Sequence, residues 1–515
     1  MARVRGPGLW RCLAAVLAVL LGSPLAGTVH AQSPEPAGAP AGNRIWGLVF
    51  TKGGEAYAGF LRFVTARHSA SWADSFQAEQ SVGDEPFRAW ANAIREGAPS
   101  VRTVELKGYR ITWNTGEDDF SSRSGDFPGS RVIRIPYGSL ADLRGQPPGG
   151  RTVFLSIGLR GPGANDGETP RKPEHVWSGA GKGLILRYTE DWRSTTIEVE
   201  GLDGAHATVA FGDVESVAFD PPPAAGEPPS APLFGTAVDR SGRSFTGFVN
   251  LNGDIVLESD ILEGWFDGQR SRSIPLDGVR ALERVTVETG RGPSEGLRVT
   301  LAAGEAVELT PGRERRGGSI AVAVTDPGLG TATMDWVAFS ALHLHDAGGD
   351  AAGSAGCQGD RVGLAPTAFH YDTFGGGTPL RGTVVTGTGE EFEGRIRWGT
   401  LKEWSWDLLH GAMDGTELAV RFANVRSIER MVAPDPPPEP ARAGTAPPGR
   451  IRVNLLDGRT CEMSTHGDVG PGDAGILVRP ADDGTDEDRT GWRLIRWQDV
   501  RIVRFEHPGR DVPGS

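Results

Sequence analysis

The sequence predicts an all-β protein: a tandem array of six small β-barrel units, arranged as three pairs of two unit types, A and B. Three observations carry this prediction. An apolar segment occurs six times, a glycine-bearing hairpin occurs in every second unit, and stretches rich in Pro or Gly separate the units. A six-bladed β-propeller is the alternative architecture.

The apolar segment has four positions, at offsets 0, +2, +5 and +8. Its first copy is Ile135, Tyr137, Leu140 and Leu143. The same spacing begins again at Val209, Ile274, Met334, Val420 and Ile495. Alternation at offsets 0 and +2 indicates the end of a strand, and the shift to +5 indicates a tight turn before the next strand. We call this pattern the closing segment.

The hairpin pattern marks the A units. In the third A unit it consists of Gly382, Gly389, Phe392 and Gly394, at offsets 0, 7, 10 and 12, and the same offsets occur from Gly47 and Gly235. The second glycine is predicted to lie in the turn of a β-hairpin. The last glycine is predicted to lie at a sharp bend, where a Cβ atom would crowd the neighbouring strand.

Unit boundaries follow from these patterns and from linkers rich in Pro, Gly or Ala. The A units are predicted at residues 44–145, 233–285 and 380–431, and the B units at 151–219, 296–345 and 450–507. Linkers are predicted at residues 32–43, 220–232, 346–379 and 433–449. The first A unit carries a predicted helical insertion over residues 85–96, where apolar side chains recur at helical spacing.

The A unit resembles the Sm-like version of the small SH3-like barrel. Gly389, Phe392 and Gly394 match the first hairpin of that fold, and the closing segment from Val420 to Ile428 matches its last two strands around a one-turn bend. The resemblance covers most of each A unit and less of each B unit. It implies the fold alone, because the Asn-bearing and Arg-Gly loops of the family's RNA site have no clear counterpart in these repeats.

The first 31 residues are predicted to be a secretory signal peptide. Arg3, Arg5 and Arg11 precede an apolar run from Leu13 to Leu21, and small residues around position 31 favour cleavage after Ala31. An uncleaved signal anchor is the alternative. No later stretch is apolar for about 18 residues, so no transmembrane segment is expected after cleavage. The expected location is the periplasm, the envelope surface or the medium.

The charge of the chain disfavours nucleic acid as a partner. The formal net charge is −13, and it becomes −16 without the signal peptide, which carries three Arg and no acidic residue. A nucleic-acid-binding surface needs a basic footprint to meet phosphate. The mature chain keeps two cysteines, Cys357 and Cys461, for which a disulfide is possible in an oxidising compartment.

Two groups of residues are candidates for a binding site. Asp74, Asp260 and Asp407 recur at similar places in the three A units; they are either N-caps of a short helical turn or ligand-facing acids. Trp398, Trp404 and Trp406 lie close together in sequence. Paired exposed indoles favour sugar stacking or a protein contact, whereas buried ones fill a barrel end or a contact between units.

No catalytic, metal or cofactor site is predicted. His343 and His345 share one face of a strand but supply only two of the ligands that a metal needs, and the acidic run 482–488 lacks the ligand spacing of an EF-hand. No nucleophile, zinc-hydrolase or phosphate-loop motif is present. The expected function is therefore a non-enzymatic envelope scaffold or protein-binding module, with an envelope protein or a glycan as partner. A carbohydrate-binding protein and a secreted hydrolase are the alternatives.

Overall fold

A computed structural model describes most of the repeat region as β-structure. The described residues are 43–81, 103–106, 109–112, 130–145, 154–160, 184–188, 194–223, 230–266, 270–289, 292–309, 321–345, 356–358, 371–399, 402–431, 449–465, 475–480 and 492–507. Regular structure in these ranges consists of strands and short 3-10 turns, so the predicted all-β class is confirmed. The predicted signal peptide and the helical insertion at 85–96 lie outside the described residues.

The strands fall into three sets that correspond to the three repeat pairs. In the first pair they are β1 (Trp46–Thr51), β2 (Ala56–Val64), β3 (Ser75–Ser81), β4 (Thr103–Leu106), β5 (Tyr109–Thr112), β6 (Ser130–Pro136), β7 (Leu140–Gly145), β8 (Phe154–Leu159), β9 (Leu184–Tyr188), β10 (Thr196–Glu200), β11 (His206–Ala210) and β12 (Val214–Phe219). In the second pair they are β13 (Phe234–Asp239), β14 (Ser244–Leu251), β15 (Ile261–Phe266), β16 (Arg270–Pro275), β17 (Val279–Thr289), β18 (Gly292–Leu301), β19 (Ala306–Leu309), β20 (Val322–Asp326), β21 (Gly330–Met334) and β22 (Phe339–Leu344). In the third pair they are β23 (Arg381–Thr386), β24 (Glu391–Trp398), β25 (Leu408–Met413), β26 (Thr416–Arg421), β27 (Val425–Met431), β28 (Gly449–Leu455), β29 (Thr460–Thr465), β30 (Ile476–Arg479), β31 (Arg493–Ile495) and β32 (Val500–Phe505).

Apart from the separate hairpin β4–β5, the pairs share one strand order. In the first pair the order is β11-β10-β2-β1-β12-β7-β8-β9-β3-β6. The third pair has the equivalent order, β31-β30-β24-β23-β32-β27-β28-β29-β25-β26. The second pair follows it too, except that β15 and β16 form a separate two-stranded sheet. The repetition of the pair is therefore visible in the strand ladders themselves.

Strand pairing crosses between the A and B units of each pair. In the third pair, β23 and β24 open the A unit, but they pair with β32 and β30 of the B unit. Conversely, β28 of the B unit pairs with β27 of the A unit. The described ladders close no unit into a barrel of its own, which corrects the prediction of one barrel per unit. Apart from the separate hairpins β4–β5 and β15–β16, the strands of each pair form one interleaved set.

The closing segments have the predicted form. The four apolar side chains of all six segments are buried, with exposed fractions of 8% or less. In five segments the turn between offsets +2 and +5 is a 3-10 turn; the five are Tyr137–Ser139, Phe211–Asp213, Leu276–Gly278, Phe422–Asn424 and Trp497–Asp499. At Trp336 it is a turn without 3-10 assignment. The apolar spacing therefore predicts correctly where one strand ends, the chain turns and the next strand begins.

The glycines of the A hairpin allow two close contacts between backbones. Gly389 has φ +89° in the turn, where the N–H of Thr386 donates to the carbonyl of Glu390. Gly382 and Gly394 lie opposite each other in the β23–β24 ladder. A Cβ atom on Gly394 would overlap the carbonyl oxygen of Arg479 in β30. These glycines let the A hairpin lie between two strands of the B unit.

Replacing Gly394 by Val should destabilise the protein by at least about 3 kcal/mol, because the new side chain meets backbone and Gly394 has φ +152°. The matched control is Glu393→Val, an exposed neighbour on the same strand, which should change stability by less than about 0.5 kcal/mol. Urea unfolding followed by circular dichroism measures both. Equal effects of the two substitutions would contradict the proposed backbone contact.

Trp497 and Trp336 occupy equivalent positions of two closing segments and are 6% and 8% exposed. The ring of Trp497 packs 5.6 Å from that of Trp398. Replacing either by Ala should lower the free energy of unfolding by about 3–5 kcal/mol, and Trp497→Phe should cost less because it keeps a buried ring. A loss below about 1 kcal/mol for both Ala variants, measured by urea unfolding, would contradict the repeat register.

Candidate functional site

Several of the residues that the sequence singled out lie where two repeat pairs meet. Asp407 lies in the turn before β25, and the N–H groups of Glu403 and Trp404 donate to its Oδ2 at 2.8 and 2.9 Å. The N–H of Phe422 donates to the Asp407 carbonyl at 3.1 Å. The carboxylate therefore closes a turn that precedes it, and the backbone of the same residue anchors the closing segment.

Asp74 and Asp260 have the same geometry. The N–H groups of Ala70 and Ser71 donate to Asp74 Oδ2, and those of Val256 and Leu257 donate to Asp260 Oδ2, all within 2.8–2.9 Å. Each Asp bonds the residues three and four positions before it. The predicted N-cap role is therefore corrected, because these carboxylates stabilise the preceding turn and a strand follows them.

Each of the three carboxylates also lies beside an Arg from a different repeat pair. Arg62 of the first pair donates from Nη1 to Asp260 Oδ1 of the second at 2.8 Å. Arg131 of the first pair lies 3.6 Å from Asp407 of the third. The charge of Arg421 of the third pair acts on Asp74 of the first. The repeated Asp thus connects the pairs.

Arg62 organises the contact between the first and second pairs. Besides Asp260, it contacts His68 Nδ1 at 2.9 Å and donates to the carbonyl of Asp254 at 3.0 Å. Burial and the neighbouring charge of Arg62 lower the pKa of His68. Arg44 adds a second bridge by donating to the carbonyl of Ser230 at 2.6 Å. Two cations thus hold this junction through charge-assisted hydrogen bonds, which are stronger than neutral ones.

Burial raises the pKa of two of the repeated carboxyl groups. For Asp74 it raises the pKa to about 6, although the N–H groups of Ser71 and Ala70 and the charge of Arg421 act in the opposite direction. For Asp407 burial also raises the pKa, against the charge of Arg131. Both groups therefore resist ionisation because folding buries them at the contacts between repeat pairs.

The tryptophans also lie in packed contacts. The rings of Trp404 and Trp406 stack with centroids 5.0 Å apart and planes 12° apart. Trp406 is 4% exposed and belongs to the apolar core of the first pair, against which Trp404 packs partly buried. Trp398 is 1% exposed inside the third pair. Trp398 and Trp406 therefore fill packed contacts, whereas Trp404 keeps part of its surface exposed.

The second and third pairs share a strand ladder, β21 with β26, and a buried ion cluster beside it. Arg459 of the third pair donates to both carboxylate oxygens of Asp326 in the second pair, at 2.6 and 3.2 Å. Its Nε donates to Asp457 at 2.9 Å. Burial acts to lower the pKa of Arg459, but the charges and hydrogen bonds of Asp326 and Asp457 outweigh it and raise that pKa.

A second Asp–Arg contact joins these two pairs through another hairpin. Arg243 donates from Nε to the buried Asp239 at 2.8 Å and from Nη1 to Asp414 of the third pair at 3.0 Å. Thr416 donates to Asp239 at 3.3 Å. Two glycine hairpins, one from each pair, thus place an Asp and an Arg at the shared ladder.

The linker between the second and third pairs is also built into the fold. Cys357 and Cys461 form a disulfide, and Gln358 and Thr460 exchange backbone hydrogen bonds next to it. Tyr371 inserts into the core of the first pair, where its hydroxyl oxygen lies 3.1 Å from the carbonyl oxygens of Leu140 and Phe219 and shares its one proton between them. The linker thus ties all three pairs together.

The residues considered for metal binding do not form a cluster. His343 is exposed, whereas His345 contacts Thr236 Oγ1 through Nε2 at 3.0 Å. Within the described ranges, no three His, Cys, Asp or Glu side chains could hold a metal ion together. The acidic run 482–488 lies outside them. In the part of the chain that the structure describes, no helix has the length and apolar character needed to cross a membrane.

Sequence reasoning missed the ion clusters at the junctions, although one signal was present. Asp239 and Arg243 flank the turn glycine of one hairpin, and Asp457 and Arg459 flank that of another. An Asp before and an Arg after a turn glycine in two repeats indicates a shared local contact. The recurrence of Asp74 and Asp260 was recognised, but no sequence pattern marks Arg421 and Arg62 as their partners, because these lie far away along the chain.

A scan against protein-family models and searches of curated proteins and of solved structures found no match to this chain. The function of this chain is therefore inferred from the geometry of its junctions.

Replacing Asp74 by Asn should flatten the pH dependence of stability. Because folding raises the pKa of Asp74 from 3.8 to about 6, its contribution to stability is present below about pH 4 and is lost as the pH rises through 6. Between these values the wild type should lose about 3 kcal/mol of stability relative to Asp74→Asn. Urea unfolding at a series of pH values measures this difference, with the exposed Asp213→Asn as control. Parallel profiles for wild type and Asp74→Asn would contradict it.

Proposed function

We propose that this chain is an exported, non-enzymatic scaffold or protein-binding module of the cell envelope. The observation that carries the proposal is the shared role of the repeated polar residues. Asp74, Asp260 and Asp407 each close a turn and each lie beside an Arg of another repeat pair. Side chains that could have formed a repeated ligand site instead hold the three pairs in one arrangement.

The buried contacts support a body in which the pairs keep fixed positions. Arg459, Asp326 and Asp457 are each at most 5% exposed, and removing one partner of such a buried cluster costs about 3–5 kcal/mol. A disulfide that closes a loop of this length contributes up to about 4–5 kcal/mol. A fixed array of similar units offers a long surface for other proteins, which is what a scaffold needs.

Export enters the proposal from the sequence. The N-terminal 31 residues have the charge and apolar pattern of a secretory signal, and the disulfide between Cys357 and Cys461 suits an oxidising compartment. The periplasm, the envelope surface and the medium all meet these requirements.

The test is a pull-down from the envelope extract of the source cells, with mature chain 32–515 as bait and with bound material divided into protein and glycan. Three baits are compared: wild type, Arg62→Gln and Arg452→Gln. Arg62 joins two repeat pairs, whereas Arg452 makes a partly exposed ion pair with Glu462 inside the third pair. Both substitutions remove one cation, so the comparison isolates the junction between pairs.

The proposal expects a protein partner in a fixed ratio to wild type, equal recovery with Arg452→Gln, and several-fold lower recovery with Arg62→Gln. Circular dichroism should show that all three baits are folded at the temperature used. Retention of glycan without protein would favour the carbohydrate-binding alternative. A hydrolytic activity of the purified chain that one substitution abolishes would overturn the proposal.

A further inference from the structure

The ladder between the second and third pairs is nearly symmetric. Met334 of β21 lies opposite Thr416 of β26, and Gly330 lies opposite Val420. Met334 and Val420 are each the first apolar residue of a closing segment. The centre of the ladder lies two residues before each of them, at Ala332 and Leu418. At this centre Ala332 faces Leu418. Two equivalent strands of the repeat therefore pair about a local twofold axis.

Strand β11 is the equivalent of β21 in the first pair. Val209 of β11 begins a closing segment, as Met334 of β21 does. Ala207 lies two residues before Val209, so it is the equivalent of Ala332 at the centre of the ladder. Among the described strands, β11 pairs with β10 alone, whereas β21 pairs on both sides. The first pair thus presents, at the edge of its sheet, the strand that the second pair uses to bind the third.

The outer edge of β11 offers hydrogen-bonding groups. The hairpin turn is closed by the N–H of Gly201, which donates to the carbonyl of Ala205. Antiparallel strands alternate between residues that bond one neighbour and residues that bond the other, so His206, Thr208 and Ala210 direct their backbone groups to the outer edge. The side chains of these three residues are also exposed.

The edge strands β6 and β16 differ from β11 in their sequence. Strands β6 and β16 hold the place of β26 in the first and second pairs, but they end in Pro136 and Pro275. Proline has no N–H to donate, and proteins use it to prevent pairing at sheet edges. Arg421 is the equivalent of these prolines in β26, and its backbone N–H donates to the carbonyl of Leu329 in the ladder with the second pair. No proline interrupts β11.

The tip of the β10–β11 hairpin carries an exposed apolar side chain, Leu202, at 52% exposure. Its equivalent in the second pair is Pro327, whose carbonyl accepts a hydrogen bond from Asn424 in the 3-10 turn after β26. The tip of that hairpin therefore rests on the turn that follows the paired strand. A strand paired with β11 would bring the same kind of turn to Leu202.

We propose that β11 pairs with β11 of a second copy of this chain, in the register of the β21–β26 ladder. Ala207 lies opposite Ala207 of the second copy, and His206 lies opposite Thr208. The contact is isologous, the commonest form of dimer contact. It goes beyond the proposed function, because pairing of two copies requires no other partner.

The dimer is weaker than the internal junction. At the place of Asp326, which binds the buried Arg459, the first pair has Gly201. The ladder between copies therefore forms without a buried ion cluster. The acidic side chains of Glu198 and Glu200 lie on β10, one strand back from the edge, so those of the two copies are about 15 Å apart and their repulsion is screened by salt.

The test uses mature chain 32–515 with Ala207→Cys. Since Cys357 and Cys461 form a disulfide, the new thiol is the single free one in that chain. Residues opposite each other in an antiparallel ladder have Cα atoms about 4.5–5.5 Å apart, which suits a disulfide. Mild oxidation should therefore produce a covalent dimer that a reductant reverses. Glu417→Cys is the matched control, because Glu417 is exposed on β26, whose edge is already paired.

Light scattering on chromatographed wild type should give a mass that rises towards twice the monomer mass with concentration. Thr208→Pro removes an N–H at the outer edge, so it should keep the melting temperature close to that of wild type and shift the dimer to monomer. Absence of a covalent dimer with Ala207→Cys, or equal yields with Glu417→Cys, would overturn the proposal. So would a monomeric mass at every concentration, or an unchanged dimer with Thr208→Pro.

Discussion

A close approach between backbones at paired glycines determines how this chain assembles. In each A unit the first and last glycines of the hairpin pattern face each other, as Gly382 and Gly394 do. A Cβ atom at either would overlap a carbonyl oxygen of the B unit, in Arg504 and Arg479. Because only glycine leaves this space, the A hairpin can lie between the third and fifth strands of the B unit. The interleaved order of ten strands depends on that position.

Interleaving makes the pair, and not the unit, the smallest complete arrangement of strands. The turns at the ends of each pair then become the surfaces through which pairs meet. Asp326 and Asp457 are brought together by such turns around Arg459, and β21 and β26 continue the sheet across the same boundary. The polar residues at these boundaries are buried with their partners, as charged groups inside proteins must be.

Sequence reasoning was most successful where a residue's role depends on its near neighbours in the chain. The closing segments were located in all six units, and the turn glycines Gly54, Gly242 and Gly389 all have positive φ. It was less successful for Asp74, Asp260 and Asp407, whose recurrence was recognised although their turn was placed on the wrong side. Trp404 and Trp406 show the same limit, since their spacing says that they are neighbours but not what covers them.

The sequence by itself determined the strands, the turns and the threefold repetition, because apolar spacing and glycine position report local backbone geometry. Only the tertiary structure decided which strands pair, for a strand's alternation is the same whichever neighbour it bonds. It also decided that Tyr371 enters the first pair and that Arg62 meets Asp260. These contacts join residues that are far apart in the chain. They form because the junctions bury these residues together, and no local sequence pattern encodes that burial.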